Sequence, residues 1–147
     1  MAGQDYVPLG LPGYQWSCVA GAAITAGQLV YVSAGSLTVG APNTSGGTPN
    51  SGTVTPTVTP TSGATAALVG VAAQTVASGA PVSVYFGGIH VLATAGTISA
   101  GDSVVAAASG GVADLGSITP GTTNFANVIG HAVSANASNL VAVKLYA

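Results

Sequence analysis

The sequence predicts an all-β fold, a small β-barrel or sandwich with internally duplicated strand units, and three observations carry that prediction. Short runs rich in Val, Ile, Tyr and Thr follow one another, separated by Gly-containing turns, which is the spacing of a sandwich or barrel. Several of these runs occur twice in the same order. The apolar content, 48% of the 147 residues, comes largely from Val and Ala, which suits thin β layers better than a thick helical core. The length, 1–147, fits a single domain with a real core.

Along the chain, residues 1–16 hold Tyr6, Pro8, Pro12, Tyr14 and Trp16 without helical or strictly alternating periodicity, and predict an extended N-terminal arm. Strands are expected at Gln28–Ser33, Ser36–Val39, Leu68–Ala72, Pro81–Phe86, Ile89–Ala93, Asp102–Ala107, Val128–Ala132 and Leu140–Tyr146. The Ala-rich pieces Gly21–Ala26 and Val104–Ala108 could be argued as helix, but their β-branched neighbours and close glycines favour strand. Residues 41–67 form a Thr/Pro/Gly-rich loop. Within it Thr53–Pro60 alternates cleanly, yet Pro56 and Pro60 lack ladder donors. An edge strand or an extended, polyproline-like loop fits there; a central strand is not expected. The loop is accordingly expected to tolerate trimming.

The duplication is specific. Ile24-Thr25-Ala26-Gly27-Gln28-Leu29-Val30 returns as Ile98-Ser99-Ala100-Gly101-Asp102-Ser103-Val104, 74 positions on. Val69-Gly70-Val71-Ala72 and Val82-Ser83-Val84 return as Ile129-Gly130-His131-Ala132 and Val141-Ala142-Val143, with Gly130 lying 60 positions after Gly70. The length difference falls in one joining segment, so two related β units within one compact domain are expected.

Charge narrows the function classes. Side-chain charge is confined to Asp5, Asp102, Asp114 and Lys144, and charged residues make up 3% of the chain, against about 25% in ordinary globular proteins. A nucleic-acid binder needs several Lys or Arg on one face, and an anionic membrane surface needs a basic cluster, so neither partner is expected. The uncharged stretch 69–96 is broken by Gln74, Ser78-Gly79, Pro81 and Gly87-Gly88 and is not expected to span a membrane as a helix. Met1–Asp5 lacks the basic start of a secretory signal. Cys18 is a lone cysteine, expected as a buried small hydrophobe in a reducing compartment. A surface so apolar and so weakly charged is expected to be covered by partners.

Catalytic chemistry has little to work with. Glu is absent, as are a G-x-S-x-G elbow, a G-x-G-x-x-G turn and a phosphate-binding Gly-Lys-Ser/Thr. His90 and His131 each stand alone in strand contexts and are expected to be half-exposed structural residues; Asp102, after Gly101, fits a turn. No catalytic residue, cofactor or metal is expected. The aromatics say more: of eight, Tyr6, Tyr14 and Trp16 crowd into the first sixteen residues. They either fold back as a lid or, with Pro8, anchor a neighbouring protein, since Tyr and Trp dominate interface hot spots.

The repeated pattern I-x-A-G-x-x-V, then apolar-G-x-A, then a terminal V-x-V strand resembles the small capsid cement, or decoration, proteins of tailed bacteriophages. The likeness runs through Ile24–Val39, Leu68–Phe86, Gly87–Val105 and Val128–Leu145. It implies a barrel-like fold, binding to the major capsid protein on the outer surface of the virion after manufacture in the host cytoplasm, and reinforcement of the expanded shell. By analogy it implies a homotrimer. Residues 41–67 depart from the compact family pattern. A host-recognition or adhesion module of a tail fibre or surface layer is the alternative, with the Thr/Pro loop as its tip.

Overall fold

The computed structural model describes residues 14–39, 52–65, 67–116, 121 and 125–146. Ten strands account for most of them: β1 (Tyr14–Ala20), β2 (Leu29–Val39), β3 (Gly52–Pro60), β4 (Val69–Ala72), β5 (Pro81–Phe86), β6 (Gly88–Ala93), β7 (Ser103–Ala106), β8 (Val112–Asp114), β9 (Val128–Ala132) and β10 (Leu140–Leu145). The all-β expectation holds. Helical backbone among the described residues is confined to short 3-10 turns at Ala108–Gly110 and Phe125–Asn127. Of the two Ala-rich pieces, Val104–Ala106 lies in β7, while Gly21–Ala26 is irregular apart from a bridge between Ile24 and Val76.

The duplication is visible in the pairing. The first five strands close into a barrel in the order β1-β3-β2-β4-β5, and the second five form a sheet in the order β6-β10-β9-β7-β8. Strands β2-β4-β5 and β7-β9-β10 are therefore laid out alike. β1 bears the same relation to β5 as β6 does to β10, at the 74-residue offset read from Ile24 and Ile98. Hydrogen bonds repeat as well. Gly27 N donates to Ala72 O and Gly101 N to Ala132 O, both at 2.8 Å. Gln28 Oε1 accepts from Thr25 N at 2.8 Å, and Asp102 Oδ2 accepts from Ser99 N at 2.7 Å. Asp102 is thus the turn residue its position suggested. Gly70 and Gly130 occupy equivalent crossings; a Cβ on Gly70 would sit 2.6 Å from Val84 Cγ1 and 2.7 Å from Tyr85 O, so the close approach requires glycine.

Two elements correct the sequence reading. Residues 41–67 are not wholly a loop, because β3 lies among them and pairs on both sides. It runs antiparallel to β2 from Val39↔Gly52 to Val30↔Pro60, and parallel to β1 at Val19↔Thr57 and Ala20↔Val58. The prolines are tolerated for a directional reason. Thr61 N donates to Leu29 O on the β2 side, whereas Val58 O accepts from Gly21 N on the β1 side. Alternation then aims the nitrogens of Pro56 and Pro60 toward β1, where pairing is confined to Thr57 and Val58. A missing donor there breaks no ladder bond. The second correction concerns the arm: Tyr14 and Trp16 belong to β1, opposite Phe86 and Val84 of β5. Tyr6 and Pro8, with the rest of residues 1–13, lie outside the described residues.

Packing welds the two units together. Cys18, Ala20, Val30, Val58, Val82, Val84 and Phe86 line the barrel interior. Leu29 on β2 and Val69 and Val71 on β4 face the other way, into a second core with Leu92, Ile98, Val104, Ile129, Val141 and Val143. Both faces of β4 are consequently buried. Polar ties reinforce the junction: Thr61 Oγ1 donates to Ala107 O at 2.8 Å, Gly110 N donates to Thr61 O at 3.0 Å and Gln28 Nε2 donates to Ser109 O at 3.1 Å.

Candidate functional site

Strand alternation puts Tyr14, Trp16, Cys18 and Ala20 on one face of β1. Cys18 and Ala20 fall within the barrel core, and burial pushes the Cys18 thiol pKa up, so this group is an inert packing residue as expected. Tyr14 and Trp16 continue the same apolar face toward the end where β1 and β3 no longer pair. Tyr14 is 81% exposed and Trp16 43%. They line an open cleft of about 440 Å³ with Gln15, the half-exposed Leu68 and Phe86. Trp16 meets Phe86 edge-on, ring centroids 6.0 Å apart and planes at 72°. That contact holds the indole at the rim without burying it.

The cleft suits an apolar protein surface. It brings together two residues singled out by their place in the sequence, Tyr14 and Trp16, and two that were not, Leu68 and Phe86. The apolar–polar alternation Tyr14-Gln15-Trp16-Ser17-Cys18 was the available signal for β1. The contribution of Phe86 depends on a pairing that only barrel closure brings about.

The histidines divide. His90, expected to be half-exposed, is fully buried on β6; its Nε2 pairs with Gly87 O at 2.7 Å. Desolvation lowers its pKa, partly opposed by that backbone hydrogen bond. His131 is exposed on β9, between Ser103 of β7 and Lys144 of β10. Its Nε2 lies 3.3 Å from Ser103 Oγ, and its Nδ1 meets the Tyr146 hydroxyl. A hydrolytic Ser–His pair is oriented by a carboxylate on the second nitrogen; here a phenol holds that place, which makes the group a cross-strand polar ladder. Among the described residues, no group of three His, Cys, Asp or Glu could hold a metal ion, and no helix is long and apolar enough to cross a membrane.

Comparison with known families decides the assignment. Residues 48–146, two thirds of the chain, match the family described as phage cement protein. The chain belongs to the phage cement protein family. No curated protein matches it. The matched region begins just before β3 and takes in the entire second unit. As a phage cement protein, it has a structural, capsid-stabilising role, it binds capsid protein, and its place is on the virion capsid.

Proposed function

We propose that this cement protein is a non-enzymatic clamp on the outer surface of the assembled capsid. It is made in the host cytoplasm, assembles as a homotrimer and holds the major capsid protein across subunit junctions, with no role for nucleic acid or membrane. The observation that carries this reading is the exposed aromatic cleft of β1 on a chain so poor in charge. Tyr14 and Trp16 supply part of the partner-contacting surface, and Tyr6 and Pro8 precede them in sequence. With Lys144 as the single basic side chain, attachment works through apolar contact and backbone hydrogen bonds, which salt screens little.

The test is decoration of expanded capsids lacking the protein, read as occupancy per particle. Changing Tyr14 and Trp16 to Ala is expected to lower occupancy far more than it lowers the melting temperature, since hot-spot truncations cost about 2 kcal/mol or more. Wild-type occupancy is expected to persist from low to high salt. Release by moderate salt would reject the apolar mechanism, and full occupancy by the double variant would reject the aromatic surface.

A further inference from the structure

We infer that the partner seated on Tyr14 and Trp16 is a second copy of this chain, delivered through its β2–β3 ribbon. The inference rests on the self-association proposed above and names the surfaces that achieve it.

The duplicated unit serves as an internal control. At the 74-residue offset, Trp16 corresponds to His90 and Cys18 to Leu92, while Phe86 corresponds to Leu145 of β10. His90, Leu92 and Leu145 are all buried within the monomer. In the first unit the corresponding inner face is left open at Tyr14 and Trp16. The seam beside this face is short in both units, Val19–Ala20 with Thr57–Val58 in the first and a single Thr94–Val112 bridge in the second, so what differs between them is the cover and not the length of the pairing.

The second feature that sets the first unit apart is the missing cover's complement. β7 and β8 pair from Val104↔Asp114 to Ala106↔Val112, whereas β2 and β3 pair from Val30↔Pro60 to Val39↔Gly52. A bulge at Ser33 marks where the longer hairpin leaves the barrel, and residues 33–38 are all exposed. Beyond the buried Pro56 both faces of this ribbon meet water, and a two-stranded ribbon so placed is marginal by itself. This one is two-sided. Leu37 opposes Val54 and Gly35 opposes Pro56 on one face, while Ser36 opposes Thr55 and Thr38 opposes Thr53 on the other. Leu37 is 65% exposed and Val54 49%. Their face continues the barrel lining through Pro56 and Val58.

One chain therefore carries an apolar cleft that needs a cover and an apolar ribbon face that needs a floor. Among the described residues, neither surface carries a charge to select a different partner. A ribbon from one copy laid over the cleft of the next is a head-to-tail contact, and repetition of such a contact closes into a ring when its rotation permits.

Sedimentation of the full-length protein, wild type against Leu37→Ser/Val54→Ser and Trp16→Ala, tests this, with melting curves to confirm folding. The wild type is expected to associate, and each variant to weaken self-association roughly thirty-fold or more. Trp16 is the single tryptophan. Its emission should lie to the blue in associated wild type and shift to the red in the folded ribbon variant. An equimolar mixture of the two variants retains one intact ribbon and one intact cleft, and is expected to form a heterodimer absent from either variant alone. Undiminished association of the ribbon variant by itself, or a wild type monomeric at its highest soluble concentration, would overturn the inference. So would unchanged association combined with lost capsid occupancy, which would assign the cleft to the shell. Decoration by a monomeric wild type would overturn the inference and the trimer together while leaving the cement role intact.

Discussion

His90 shows how a single side chain ties stability to acidity. It is buried and hydrogen-bonded to Gly87 O, and desolvation holds its pKa below the ordinary histidine value of 6.5. A base whose folded pKa is depressed binds fewer protons folded than unfolded. Its contribution to stability is thus complete above pH 6.5 and declines as the pH falls from there toward the folded pKa. The melting temperature is expected to drop between pH 7 and pH 5, and His90→Gln should flatten that part of the profile, as thermal melts across the range would show. An unchanged slope in the variant would place the proton uptake elsewhere. Gly70 works by space: replacing it with Ala should cost about 1–3 kcal/mol through forced repacking against Val84 and Tyr85, measurable by denaturant melts.

At the scale of elements, β3 reverses an expectation. Excising residues 41–67 would take away the neighbour of β2 and the strand that closes the barrel onto β1. Loss of the cooperative melt is the expected outcome, with a retained sharp transition counting against β3 as a structural strand. The strand was hidden because proline content speaks of a missing donor and not of the direction in which it is missing. Thr53–Pro60 alternates as a strand should, but the sequence cannot show that both pyrrolidine nitrogens face the sparsely paired side. β5, β6 and β10 were legible because buried and more exposed residues alternate along them. β8, three residues long, offered too short a pattern. As for the site, composition pointed to Tyr14 and Trp16, while Leu68 and Phe86 join them through contacts between distant segments.

For the whole molecule, the two units share a core, since Leu29, Val69 and Val71 of the barrel pack among the residues of the second sheet. Neither unit can separate without exposing that apolar junction. A single calorimetric transition is expected, with calorimetric and van't Hoff enthalpies in agreement. Two resolved transitions would show the halves to be independent. Duplication here produced a closed barrel and a five-stranded sheet that depend on each other.

The pairing of β1 with β5 also sets an order of events in synthesis. Tyr14 lies opposite Phe86, so β1 waits during synthesis for β5, the last strand of its own unit. At about 5–20 residues per second, the roughly seventy intervening residues take on the order of 4–14 s. Throughout that interval Tyr14, Trp16 and Cys18 have neither β5 nor the barrel interior to cover them. A nascent chain with almost no charge to keep it apart from its neighbours is then most exposed to premature association. The slow step is built into the topology, because non-local pairing must follow chain length. The same aromatics that stand exposed on the folded chain are its greatest hazard while the chain is half made.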